Sequence, residues 1–264
     1  MRIIISPAKQ MRTDLDTLAP RDLPAFLPKA RRLLSALRAL SPAELQALWK
    51  CNDAIAALNV ERLRTMDLEQ GLTPALLSYV GIQYQTMAPG VFERGQYDFL
   101  QDHLRILSGF YGLLRPFDGV TPYRLEMQAK LSVDGCRDLY AFWDRRLADM
   151  LACETDWVLN LASQEYSRAV LPHLPPAVPA VTCIFGELQA NGKVVEKGTL
   201  CKMARGEMVR WLAVEGITRR QDLPAFTGLG YRYDAGRSTT ERLVYLKETP
   251  AQGNVRKEED DAAL

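Results

Sequence analysis

Residues 104–127 concentrate side chains that could hold a phosphate or a base: Ser108, Tyr111, Arg115, Tyr123 and Arg124, with Glu126 close behind. Gly109 and Gly112 would allow close backbone approach or positive φ. Arg115-Pro116 puts a guanidinium on a constrained turn, where two-pronged phosphate contacts are geometrically favoured. A tyrosine can stack on a base and an arginine can bind a phosphate. The same residues also read as a tight turn closed by Arg115–Asp118 and Arg124–Glu126 pairs. Spacing alone leaves both readings open.

Other groups extend the list. Lys202 and Arg205 sit at i and i+3 of an expected helix, so they project from one side. Arg205 borders the apolar stripe Leu200, Ala204, Met208, Trp211 and Leu212, with Gly206 beside it. That suits an anchored anion contact, and equally a solvated basic face that includes Arg210. Ser6-Pro7-Ala8-Lys9 could hold an anion through Lys9. It lacks the glycines of a P-loop or a dinucleotide fingerprint, so nucleotide binding of those kinds is disfavoured. Asn160, Ser163, Glu165 and Tyr166 form a polar cluster, which reads first as a helix capped by Ser163 with Glu165 exposed on the surface. Glu126 and Glu165 could be a carboxylate pair for acid–base work. With Ser108, they are the candidates for catalysis.

Metal chemistry has little to work with. The chain has two histidines, His103 and His173, each beside apolar residues and read as structural. Five cysteines at 51, 136, 153, 183 and 201 include no CxxC pair, which argues against zinc or a disulfide framework. No metal site and no cofactor are expected. Residues 42–66 could form a helix–hairpin–helix with Lys50, Arg62 and Arg64 as basic contacts. The connection Lys50-Cys51-Asn52-Asp53 has no glycine, so the sequence alone favours a plain helical hairpin.

The elements that must position these groups follow from pattern. Ile3-Ile4-Ile5, Leu104-Arg105-Ile106-Leu107 and Trp157-Val158-Leu159 read as buried strands. Each ends in a polar loop: Ser6–Lys9, Ser108–Tyr111 and Asn160–Tyr166. If the strands are parallel neighbours, their loops share one cleft at the strands' carboxyl ends, where open α/β sheets bind ligands.

Helical spacing joins Phe26, Ala30, Leu33, Leu34 and Leu37. Ser41-Pro42-Ala43-Glu44 reads as a capping box with proline at the first helical position. Asn52 is expected to cap a helix whose apolar face carries Ile55 and Leu58. Thr73-Pro74 repeats the cap-then-proline signal. Leu139, Trp143, Leu147, Met150 and Leu151 read as one stripe. Asn191-Gly192 between 181–189 and 193–197 signals a hairpin, and 231–233 with 243–246 a second hairpin or edge pair. The fold class is therefore α/β, a central mixed sheet with flanking helices, a helical region over 24–80 and β-hairpins.

The 264 residues are 47% hydrophobic and 25% charged, enough for one domain over 1–250 with a sizeable core. Residues 251–264 read as a charged, disordered tail. The net charge is +1, so any nucleic-acid site must be a local patch rather than a global field. The N-terminus does not read as a signal peptide and no stretch approaches a membrane span, so a cytoplasmic protein without membrane partners is expected.

Taken in order, several segments resemble the YaaA family of bacterial peroxide-stress proteins, over about residues 1–248. They are Ile5-Ser6-Pro7-Ala8-Lys9, then 107–116 (LSGFYGLLRP), then 122–127 (PYRLEM), 139–143 (LYAFW), 160–166 (NLASQEY) and Ala204-Arg205-Gly206. The resemblance implies a cytosolic protein that limits oxidative damage and is associated with lower free iron. It also implies DNA binding through a positively charged cleft with a helix–hairpin–helix element, on an unusual α/β fold. The nucleic-acid contacts to expect are then Ser6, Lys9, Ser108, Tyr111, Arg115, Tyr123, Arg124, Lys202 and Arg205, on duplex or non-canonical DNA, with no protein partner identified. A looser similarity of the serine loops, LSGxYGLL and Pro-Tyr to nucleobase-chemistry domains sustains an alternative: an enzyme acting on a nucleotide or a base in DNA. Iron sequestration by the chain itself is disfavoured for want of ligands.

Overall fold

The computed structural model describes residues 1–248, so the charged stretch 251–264 lies outside the described residues. In chain order it runs β1 (Arg2–Ile5), β2 (Gln10–Met11), α1 (Leu27–Arg38), α2 (Pro42–Trp49), α3 (Asp53–Thr65), β3 (Thr73–Pro74), α4 (Ala75–Ser78), β4 (Tyr79–Val80) and α5 (Ile82–Met87). There follow α6 (Arg94–His103), β5 (Leu104–Ser108), β6 (Gly112–Leu114), β7 (Gly119–Val120), α7 (Leu139–Trp143), α8 (Arg146–Ala152), β8 (Val158–Asn160) and α9 (Gln164–Ser167). The last elements are β9 (Ala180–Leu188), β10 (Val194–Val195), α10 (Gly198–Glu215), β11 (Tyr231–Tyr233) and β12 (Arg242–Lys247).

Ile3, Ile4 and Ile5 are each 0% exposed, because β1 is covered on both faces and paired on both edges. Its neighbours are β5 and β8, both parallel. The three strands expected to be parallel neighbours are therefore adjacent. The eight-stranded mixed sheet has the order β11-β12-β9-β8-β1-β5-β6, with β10 also on β9. Parallel pairing gives way to antiparallel hairpins at β5–β6, β9–β10 and β11–β12. The Asn191-Gly192 turn forms as expected, with Gly192 at φ +78°.

The helical region obeys its local signals. Glu44 N–H donates to the Ser41 hydroxyl, and the Glu44 carboxylate accepts from Ser41 N–H, closing the box on α2. Asn52 caps α3 through Ile55 N–H.

Three expectations are corrected. The buried face of α3 is Ala56, Asn59 and Leu63, and Leu58 is 52% exposed, since the partner helices set the register. Thr73-Pro74 is not a cap but a short strand on β7, with the Thr73 hydroxyl accepting from Asp14 N–H. The 139–151 stripe is two helices, broken where Asp144 takes φ +47°.

Candidate functional site

At the carboxyl ends of β1 and β8 the loops are knitted together. The Ser6 hydroxyl donates to Ser163 Oγ at 3.1 Å and accepts from Ser163 N–H at 2.8 Å. This replaces the expected capping role of Ser163, which makes no side-chain cap bond to α9. Tyr84 on α5 donates to the Ser6 carbonyl at 3.0 Å. Gly81 lets α5 enter closely, since a Cβ there would stand 3.1 Å from Ala8 Cβ.

These contacts enclose a cavity of about 360 Å³. Lys9, Lys202 and Arg205 bring positive charge to it, and Glu126 and Glu165 bring negative charge. Lys9 Nζ lies 3.0 Å from Glu126 Oε2. Glu165 Oε1 accepts from Gln128 N–H at 3.3 Å. Burial raises the Glu165 pKa above the usual carboxylate value, and the Glu126 charge pushes it the same way.

Arg205 is 9% exposed and reaches Glu196 Oε1 at 3.2 Å through Nη2. Its Nε–H is buried and has no acceptor among the described residues, as is the case for Gln83 Nε2 on the facing helix. Gly206 explains how the two helices come so close. A Cβ there would lie 2.1 Å from the Gln83 carbonyl oxygen, so only glycine fits between α10 and α5.

The 104–127 segment divides between core and cavity. Ser108 is 0% exposed. Its hydroxyl accepts from Phe110 N–H and Tyr111 N–H and bonds the Tyr123 hydroxyl at 2.6 Å. Tyr123 continues to Tyr79 at 2.8 Å, and Tyr111 bonds Thr121 Oγ1. Burial lifts the Tyr111 phenol to about 12 and Tyr123 higher still, so both stay neutral. Ser108, Tyr111 and Tyr123 are thus interior groups with their partners supplied by protein, and they do not line the 360 Å³ cavity.

Arg115 is also placed elsewhere. It pairs with Asp118 at 2.9 Å and Asp22 at 3.2 Å, the first of which is the internal turn pair. The Arg124–Glu126 pair of that reading does not form, because Glu126 turns to Lys9. Arg124 lines a small adjoining space with Lys9, Tyr123 and Glu126. Of the expected contact residues, Ser6, Lys9, Lys202 and Arg205 therefore meet in one cavity, together with the catalytic candidates Glu126 and Glu165.

Gln83 and Tyr84 were not legible as site residues. Their one signal is Gly81 immediately before them, which reads only as a helix break.

The same region bears on peroxide chemistry. Burial raises the thiol pKa of Cys183 and Cys201, although the Arg205 charge pulls both down in part. Thiols held protonated are poor nucleophiles toward peroxide. His103 is structural, with its ring against Phe99 and Nδ1 3.0 Å from the Met1 carbonyl. Among the described residues no group of three or more His, Cys, Asp or Glu side chains is placed to hold a metal ion, and no helix is long and apolar enough to cross a membrane.

Comparison with known proteins places this arrangement. A family model described as peroxide stress protein YaaA matches residues 1–237. A UPF0246 protein of Desulfitobacterium hafniense is 51% identical over 247 residues, covering 94% of this chain and 98% of its own. One from Lachnoclostridium phytofermentans is 49% identical over 256 residues, 97% of this chain and 99% of its own. One from Pediococcus pentosaceus is 47% identical over 247 residues, 94% of this chain and 98% of its own. With the family match spanning nearly every element that builds the cavity, the chain belongs to the YaaA (UPF0246) family of peroxide-stress proteins.

Proposed function

We propose that the chain limits peroxide damage in the cytoplasm by binding DNA, with one nucleotide of the strand entering the 360 Å³ cavity. The observation that carries this reading is Arg205, a buried guanidinium lining the cavity with an Nε–H that has no acceptor among the described residues. A buried donor left unpaired is costly, and a phosphate or base acceptor would satisfy it. Lys202 and the exposed Lys9 add charge on the same cavity. Cations, Fe(II) among them, condense on DNA phosphates, and a protein that neutralises phosphates releases them. Protection would follow from moving iron away from the strand rather than from storing it.

The test is affinity for duplex and single-stranded oligonucleotides between about 50 and 200 mM salt. For the doubly substituted Arg205→Gln, Lys202→Gln chain we expect a loss of at least about tenfold and a salt slope shallower by roughly two phosphate contacts. Wild-type affinity and slope in that variant would reject the cavity as the binding site.

One observation favours a second reading, an enzyme acting on a nucleotide or a base in DNA. Glu165 is half-buried with a raised pKa, beside Glu126 and Lys9, which is an arrangement suited to holding and passing a proton. Mass spectrometry of oligonucleotides and free nucleotides incubated with the protein would find a product that is lost in Glu165→Gln. Unchanged substrates across that panel would remove the reading.

A further inference from the structure

A second cavity, of about 490 Å³, lies between the end of α2 and residues 124–132, and Glu126 is the one residue whose side chain it shares with the site above. Leu40, Ala47, Leu48, Ala129 and Leu131 give it apolar walls. Trp49, the last residue of α2, lines it and is 4% exposed, yet its indole N–H has no acceptor among the described residues. Arg124 also lines it and also buries an Nε–H without an acceptor. Two buried donors without acceptors, on residues lining the same cavity, are unusual, because buried polar groups are nearly always partnered.

The charges around it are unevenly satisfied. Glu44 is held by the Ser41 cap and Glu126 by Lys9. Lys50, Arg124 and Lys130, which also line it, make no ion pair among the described residues. The lining therefore carries one cation more than its carboxylates, which suits a monoanion. An apolar body is needed as well, since a small hydrated anion would leave the leucine walls uncovered.

We infer that this cavity binds an amphipathic carboxylic acid. Its carboxylate accepts from Trp49 Nε1–H and Arg124 Nε–H, and its hydrocarbon lies against Leu40, Leu48 and Leu131. A planar carboxylate offers two oxygens to the two donors, and charge assistance makes such bonds strong. The site adjoins the other cavity through Glu126, but the inference does not rest on the proposed nucleic-acid binding.

Titration calorimetry of the full chain with decanoate, decanol and acetate tests each part. Decanoate should bind one to one. Decanol, without the charge, and acetate, without the chain, should each bind at least about tenfold more weakly. Trp49→Phe keeps an aromatic ring, though a smaller one, and removes the donor, and should weaken decanoate binding about tenfold. Arg124→Gln changes a half-buried side chain outside the core and should weaken it by at least as much, which keeps the test sound if the tryptophan variant folds poorly. Absence of saturable decanoate binding, equal binding of decanol, or wild-type affinity in Arg124→Gln overturns the proposal.

Discussion

Arg115 and Arg205 looked alike in the sequence, each a guanidinium followed at once by a proline or a glycine, and the fold has given them opposite circumstances. Arg115 is enclosed by two carboxylates, Asp118 and Asp22, and its own backbone N–H also bonds Asp118. Arg205 has one carboxylate, Glu196, and a buried Nε–H left over. A guanidinium whose donors are consumed by protein fixes structure. One with a donor to spare, on a residue that lines a cavity, is suited to a ligand. The two arginines differ in the count of unspent donors rather than in charge, and that count is what makes Arg205 the better candidate for a ligand.

The largest test of this contrast is at Gly206, beside Arg205. Gly206→Ala would drive a Cβ into the Gln83 carbonyl at 2.1 Å, and backbone cannot step aside cheaply. We expect a loss of about 3 kcal/mol in urea unfolding, with α10 displaced from α5 and the cavity spoiled. A variant of wild-type stability would mean that the close approach is not needed.

Next is Arg115→Ala, which strands Asp118, a side chain 1% exposed. Asp118 is lifted by burial to about 6 even with Arg115 beside it. Removing the arginine should cost about 2–3 kcal/mol, because a buried carboxylate without its partner must stay uncompensated or take up a proton. Oligonucleotide affinity of the folded variant should change less than about twofold, on the view that Arg115 contacts no strand. The complementary substitution, Arg205→Gln, should do the reverse: a loss of at least about tenfold in affinity, and a smaller loss of stability than Arg115→Ala. Equal affinity losses in the two would erase the distinction.

What could be read from the chain was what depends on neighbours in sequence. The Ser41–Glu44 box, the Asn52 cap and the Asn191-Gly192 turn rest on interactions within a few residues, and all formed; the Ile3–Ile5 strand was legible from its β-branched run alone, although its partners lie far along the chain. The cleft was legible in two of its three expected loops, those after Ile3–Ile5 and Val158–Asn160, whereas the Ser108–Tyr111 loop is interior and does not line it. What was not legible depended on partners far along the chain. Nothing near Arg115 announces Asp22, and nothing near Gly206 announces Gln83. The hydroxyls of Ser108, Tyr111 and Tyr123 looked available because their acceptors and donors, Tyr79 and Thr121 among them, come together only when the sheet closes over them. Leu58 faced the wrong way for a similar reason, since its helix has apolar residues on more than one side and the packing chose among them.

The smallest effect concerns pH, and it probes why Arg205 sits among carboxylates at all. Glu165 is half-buried; burial raises its pKa, the Gln128 N–H it accepts from draws it down, the Glu126 charge raises it again, and Lys9 and the Met127 N–H lower it. The other charged groups lining the cavity are Lys202 and Arg205. A carboxylate with a raised pKa takes up a proton as pH falls, and the cavity then loses one negative charge. An anionic strand binds the protonated form better, so its affinity should rise as pH is lowered from 7 toward the raised Glu165 pKa. By linkage the bound strand lifts that pKa further, so the gain continues until Glu165 is protonated in the free protein as well. The rise should be a few-fold, because Lys9 and the cavity mouth are solvated and the interaction is screened. Glu165→Gln, neutral at every pH, should bind at the low-pH level throughout and show a flat profile. A profile that keeps its slope in Glu165→Gln would assign the proton elsewhere, and a profile flat in both would place the bound strand away from Glu165, leaving Arg205 with its spare donor as the side of the cavity the strand touches.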